Sequence, residues 1–338
     1  MPRTLESPHH LVRVRGARLR QSREEAHLRL VDVAGSTLNI STLSRLERKE
    51  TGLLPVWLVT TLVRRLGAPL ECPVRPGAWG RVILAQAMSS LVRGQFASLL
   101  RTILLRDLLV VQLDARTEIT AQVLQEYARW QVEGKWHPEV MFCLKERARE
   151  GRAMVAWLWA GVFEGMGYEE ARNTDRALEA YSLAARAAAA VTRCLPRVCA
   201  IAELARVLAL QGRTAEGHAV LTRMRRLAAN APPFGRARWL HAEGVVHALQ
   251  GEMVRAVDAL RWSAATALEI PNLFLAAEAE SALSTVCRSQ GDVDRADAAA
   301  ARAAALYFQV GRREKAARML EDTLLRRVAV TPVERHPG

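Results

Sequence analysis

Apolar positions at the start of the chain fall at helical spacing in four short segments. Leu11, Val14 and Leu19, with Arg15 and Arg18 among them, read as a basic amphipathic helix over residues 11–25 that ends before His27. A second helix follows from Arg29 to about Gly35. Ser36-Thr37-Leu38-Asn39 then supplies turn and cap chemistry, with Asn39 placed to accept the free amides at the start of a third helix, Ile40 to Arg48. A loop, Lys49 to Leu54, leads to Pro55 and a fourth apolar helix, Val56 to Leu66, which Gly67 closes.

Beyond this segment the pattern becomes periodic. Leu-Gln-Gly at 210–212 and 249–251 and Ser-Gln-Gly at 289–291 place glycines at a nearly constant interval, and the same frame carried backwards lands on Arg172, Gly134 and Gly94. Six turns are therefore predicted at 94, 134, 172, 212, 251 and 291. Seven positions before each turn stand Ala87, Tyr127, Gly165, Ala205, Gly244 and Ser284, small in all but one case, as two closely approaching helices require. Five positions after stand Leu99, Glu139, Ala177, Gly217, Ala256 and Ala296, and nine after stand Ile103, Cys143, Tyr181, Leu221, Leu260 and Ala300. The last four units keep the pattern and the first two are degenerate. Glu314 to Val328 reads as a terminal capping helix, and residues 329–338, with Pro332 and Pro337, as a frayed tail.

Composition narrows the class. Half of the 338 residues are apolar and only 5% aromatic, with Ala, Leu and Arg abundant and strand formers scarce, so the expected fold is all-α. Net charge is +13, and the segment from Met1 to Cys72 is more basic per residue than the rest, which suits a polyanionic partner such as nucleic acid. The start carries no secretory pattern, no run approaches the ~18 apolar residues of a membrane span, and a cytoplasmic protein is expected. Five scattered cysteines without a Cys-x-x-Cys pair argue against a disulfide framework or a structural zinc site.

Leu28 to Glu47, and above all its ending Ser-Thr-Leu-Ser-Arg-Leu-Glu, resembles the helix-turn-helix of Cro/C1 (XRE)-type repressors; Leu19-Arg20-x-x-Arg23-Glu24 upstream and Pro55 through Gly67 downstream match the flanking helices in order and nature. The connection from Leu28 to Asn39 is slightly shorter than usual in that family, and the loop before Pro55 slightly longer. The resemblance implies a DNA-binding domain over residues 11–72 that docks its third helix in the major groove of double-stranded DNA. Ile40, Ser41, Thr42 and Arg45 are then the base-facing candidates. Arg45 can make a bidentate contact with guanine, Ile40 can pack on a thymine methyl, and the two hydroxyls are nearly sequence-neutral. By the same resemblance Leu43 and Leu46 belong to the core, Arg23 pairs with Glu47, and Arg29, Arg48 and Lys49 lie near phosphates.

The periodic region, residues 78–328, resembles the tetratricopeptide repeat, with units somewhat longer than its usual hairpin. Stacked hairpins of this kind wind into an α-solenoid whose concave surface binds peptides, proteins or small ligands. Glu243 and His247, on one predicted first helix, and Asn272, near the start of the next, are the candidates for an effector. His241 and His247, six positions apart, fall on opposite sides of their helix and do not surround one metal. Neither a phosphate-binding glycine loop nor a His-Glu-x-x-His or nucleophile-elbow signature is present, so neither a cofactor, a metal nor an enzyme activity is expected. The sequence thus points to a transcription regulator whose repeats mediate homodimerisation and effector sensing. The rival reading is a repeat adaptor whose helix-turn-helix no longer binds DNA.

Overall fold

The computed structural model of the chain describes residues 11–14, 16–25, 27–35, 38–49, 52–55, 58, 61–62, 65, 78–108, 113–189, 191 and 194–330. They divide into two compact units. One comprises Met1–Leu91, Phe96–Arg129 and Gly151–Ala153, the other Val92–Gln95, Trp130–Glu150 and Met154–Gly338. Among the described residues the fold is helical apart from one two-stranded ribbon.

The first unit opens with β1 (Leu11–Val14), followed by α1 (Gly16–Glu25), α2 (Leu30–Ala34), α3 (Ile40–Arg48) and β2 (Gly52–Pro55). β1 and β2 pair antiparallel, Leu11 opposite Pro55 and Val14 opposite Gly52. This corrects two expectations: residues 11–14 are not the first turn of a helix, and the segment between Lys49 and Pro55 is not all loop. The lengthened connection after α3 supplies a partner strand, and the β-branched Val12 and Val14 suit extended backbone better than helix. Gly16 sets the point where helix takes over. A β-carbon there would lie 2.1 Å from the Leu46 carbonyl oxygen and 2.3 Å from that of Lys49, so only glycine lets α1 start against the end of α3. Of the expected fourth helix, Leu58, Thr61, Leu62 and Arg65 are described and helical, with Leu58 and Leu62 buried. Gly67, Cys72 and residues 331–338 lie outside the described residues. Helices α4 (Ala78–Val92), α5 (Phe96–Leu108) and α6 (Ala115–Glu133) follow. Ala87, Leu99 and Ile103 are buried, and Phe96 meets Tyr127 edge-on at 5.6 Å.

In the second unit α7 (Pro138–Glu150) leads into four hairpins, α8 (Met154–Glu170) with α9 (Thr174–Ala188), α10 (Cys194–Leu210) with α11 (Thr214–Ala229), α12 (Pro233–Leu249) with α13 (Met253–Glu269), and α14 (Leu273–Ser289) with α15 (Val293–Gln309); α16 (Arg313–Val330) ends it. All six turn positions read from the period have positive φ: 64° at Gly94, 73° at Gly134, 59° at Arg172, 81° at Gly212, 80° at Gly251 and 78° at Gly291. Arg172 therefore occupies a glycine-type turn in the one unit whose glycine is missing. The small and apolar positions flanking the last four turns are buried as the period requires, including Ala177, Tyr181, Leu221, Leu260, Ala296 and Ala300. In the degenerate second unit Glu139 and Cys143 are exposed instead.

The closest crossing in the α10–α11 hairpin yields a test. A β-carbon at Gly217 would lie 2.5 Å from the Ala205 carbonyl oxygen, a backbone atom that cannot swing away. Gly217→Ala, helix-favouring by propensity, is expected to destabilise the protein by about 1–3 kcal/mol through overpacking. A drop in the urea midpoint checks this; a rise would mean that the two helices have room to spare.

Candidate nucleic-acid interface and a buried charge array

Three contacts fix α3 in the first unit. Asn39 caps it, its side-chain oxygen accepting from Ser41 N at 3.0 Å and from Ser41 Oγ at 2.9 Å. Leu43, Leu46 and Glu47 turn inward and are buried against α1 and α2, where Leu19, Val33 and Ala34 are fully covered. Arg23 of α1 then grips Glu47 with two parallel bonds, Nε to Oε1 at 2.8 Å and Nη2 to Oε2 at 2.9 Å, while its Nη1 donates to the Leu28 carbonyl at 3.1 Å. Arg65 donates to the Val33 and Ala34 carbonyls, closing the end of α2.

The opposite face of α3 is open. Ile40, Ser41, Thr42 and Arg45 are exposed on it, and Arg48 and Lys49 are exposed at its end. Arg45 folds back to the Ser41 carbonyl, donating through Nε at 3.3 Å. Ser41 donates its hydroxyl proton to Asn39, so its oxygen is available as an acceptor. Arg48 reaches Ser44 Oγ at 2.8 Å. Arg29 is exposed and pairs with Asp32 across the first turn of α2, Nε to Oδ2 at 3.1 Å, so its charge is partly answered within the protein. The exposed residues of α3 and its end thus share one helix face, and Arg29 stands at the start of α2.

The three effector candidates in the second unit are not brought together as one cluster. Glu243 and His247 are half-buried on α12; His247 Nδ1 lies 2.8 Å from Glu252 and its ring 6.2 Å from that of His218. Asn272 is 3% exposed and its carboxamide is occupied at both ends, the oxygen accepting from Leu275 N at the start of α14 and the nitrogen donating to the Val92 carbonyl at 2.8 Å.

A larger polar feature escapes sequence reasoning. On the first helices of four successive hairpins, Glu169 (α8), Glu203 and Arg206 (α10), Arg238 (α12) and Glu278 (α14) form one chain of charges, with the buried imidazole of His241 (α12) near Arg206, Glu203 and Arg238. Arg206 bonds Glu169 and also Glu203 at 2.8 Å; Arg238 bonds Glu203 at 3.1 Å and stands 3.1 Å from Glu278; the Tyr181 hydroxyl donates to Glu169 at 2.7 Å. Glu203, Arg238 and His241 are all buried. Burial alone would raise the Glu203 carboxyl, but Arg206 and Arg238 outweigh it and hold it below the usual range. Burial lowers the His241 imidazole to about 3, with Arg206 adding to the effect against the opposing pull of Glu203. The available signal in the sequence is a charge inside a strongly apolar first helix: Glu203 sits within Ala-Ile-Ala-Glu-Leu-Ala and Arg238 within Arg-Ala-Arg-Trp-Leu-His. Among the described residues no group of His, Cys, Asp and Glu side chains could hold a metal, and no helix is long and apolar enough to cross a membrane.

No protein-family model matches the chain, and no curated protein matches it in sequence. Similar folds occur among solved structures. A Rap protein complexed with Competence and Sporulation Factor is 9% identical, with a TM-score of 0.50 over 96% of this chain and 87% of that one. PlcR of Bacillus thuringiensis, in complex with the peptide PapR7 and DNA, is 10% identical with a TM-score of 0.43, over 89% and 97% of the two chains. ComR from S. thermophilus, in complex with DNA and its signalling peptide ComS, is 10% identical with a TM-score of 0.38, over 92% and 98%. The likeness to the Rap protein identifies the fold as a helical-repeat fold.

The neutral, buried His241 generates a pH prediction. Unfolded, the imidazole takes a proton near 6.5; folded, it resists until about 3. The unfolded state therefore binds more protons between these values, and stability, fully present above pH 6.5, falls as the pH is lowered, with a limiting slope of about 1.4 kcal/mol per pH unit. Urea unfolding at pH 7.5, 6 and 5 is expected to give a loss for the native protein that exceeds that of His241→Gln by about 2 kcal/mol. Equal losses would contradict a neutral, buried imidazole.

Proposed function

We propose that the chain is a sequence-specific DNA-binding transcriptional regulator, with residues 11–72 as its reading head and residues 78–328 as the helical-repeat domain that dimerises and senses an effector. The observation that carries this reading is the two-sidedness of α3. Its inner face is spent on Leu43, Leu46 and the Arg23–Glu47 pair, and its outer face presents Ile40, Ser41, Thr42 and Arg45 with Arg48 and Lys49 beside them. A helix held this firmly needs no rearrangement to enter a major groove. Arg45 is the base reader, Ile40 the apolar contact to a thymine methyl, and Arg48, Lys49 and Arg29 grip phosphates.

The effector is a peptide, small molecule or protein held by the repeats. The Rap protein that shares the fold was solved with Competence and Sporulation Factor bound, a precedent for a ligand on such a scaffold. Glu243 and His247 remain candidates for contacting it, and the buried charges on the first helices offer the stronger polar set. A homodimer would give the reading head the second half-site it needs, because few base contacts come from one copy. The chain performs no chemistry of its own in this reading and acts in the cytoplasm.

Binding of a labelled mixed-sequence duplex, followed by anisotropy between about 50 and 300 mM salt, tests the interface. Affinity is expected to fall steeply with salt as counterions are released, and Lys49→Ala is expected to reduce the slope by about one unit. A slope near zero, identical in both proteins, would favour the adaptor, in which α3 no longer meets DNA.

A further inference from the structure

Within the second unit two hydrogen bonds join parts of the chain that are far apart in sequence. Asn272 Nδ2 donates to the Val92 carbonyl at 2.8 Å, and Arg312 Nη2 donates to Gln131 Oε1. These are one contact made twice. Asn272 and Arg312 stand one repeat apart, each just before the start of a helix, and Val92 and Gln131 likewise stand one repeat apart, each shortly before a turn glycine. Glu170, at the same place before the Arg172 turn, is reached by Lys315 at 3.9 Å. Segments far apart in sequence therefore meet within the second unit along a seam. The seam is tight: a β-carbon at Gly94 would lie 2.9 Å from Asn272 Oδ1, and Gln131 and Asn272 are both buried. Yet it is polar. Neighbouring hairpins are joined by apolar cores such as that of Val198, Ile201, Trp239 and Val246, whereas the contacts named along the seam are two hydrogen bonds and one half-exposed ion pair.

We propose that this seam is a latch: it holds the second unit shut over the charge array on its first helices, and it opens without disturbing the hairpins. Burial of Glu203 and Arg238 to 2% and 5% exposure belongs to the shut state. The link to an effector rests on the function proposed above, since a ligand that uses those charges must pass the seam. The latch itself can be tested without any ligand.

Asn272→Asp is the discriminating change. Aspartate caps α14 as well as asparagine does, so the helix start survives, but it has no proton for the Val92 carbonyl and sets a carboxylate against it. Arg312→Met keeps the aliphatic stem and removes the donor, so it tests the seam at its second contact, where no cap is involved. The readout is the rate of thiol alkylation of the full chain, resolved peptide by peptide in a mass spectrometer. Cys199 lies one helical turn from Glu203 on the same face of α10 and is buried, while Cys287 is buried in the apolar core of the last hairpin and reports general unfolding. Both variants are expected to speed modification of Cys199 at least fivefold and leave Cys287 unchanged. Unchanged Cys199 in both variants, or equal acceleration of the two thiols in both, would overturn the latch. In the first case the seam shuts nothing, and in the second it is an ordinary part of the fold.

Discussion

Three of the four hairpins of the second unit depend on one crossing that is too close for a side chain. A β-carbon at Gly165 would fall 2.5 Å from the Tyr181 ring, one at Gly217 the same distance from the Ala205 carbonyl, and one at Gly244 2.6 Å from Leu260. Because the two helices of a unit touch there, the first helix is enclosed by its own partner and by the next hairpin, and a continuous core forms along the stack. Glu203, Arg206 and Arg238 lie on these first helices and pair with one another, and removing one member of such a set leaves the others uncompensated. The period and the apolar core are thus consequences of one steric condition, met by glycine in three of the four hairpins.

The first unit obeys a different constraint, the orientation of one short helix. Nine residues are too few to be stable alone, and α3 is held by a cap at Asn39, two buried leucines and a forked ion pair to α1. The side chains used for holding and those left exposed lie on opposite faces, as the reading role proposed for α3 requires. The β1–β2 ribbon adds a tie between the segment before α1 and the segment after α3, and Gly16 allows α1 to begin where that tie ends.

Much of this was legible in the sequence. Spaced small residues and turn glycines pointed to all six turns, including the one where Arg172 takes the glycine's conformation, because the steric demand for small residues is local and leaves a periodic trace. The capping role of Asn39 was legible as a residue type at a helix start, and the pairing of Arg23 with Glu47 only through the resemblance to Cro/C1-type repressors. The ribbon was not. Leu-Val-Arg-Val is compatible with a helix turn as well as a strand, and its partner lies on the far side of three helices, a long-range pairing that no local pattern announces. The fate of Asn272 was hidden likewise, since its second hydrogen bond reaches the Val92 carbonyl, several repeats earlier in the chain. The buried charges were visible as residues but not as a set, because they come together only when successive first helices are stacked.

The role given to α3 is tested most directly by selection of bound duplexes from a random pool with the purified protein, run beside Arg45→Ala. Enrichment of a two-fold symmetric motif is expected, containing a guanine whose preference the variant relaxes while the rest of the motif survives. Enrichment of the same motif with the same guanine preference by both proteins would contradict base reading by Arg45, and no enrichment by the native protein would contradict DNA reading altogether.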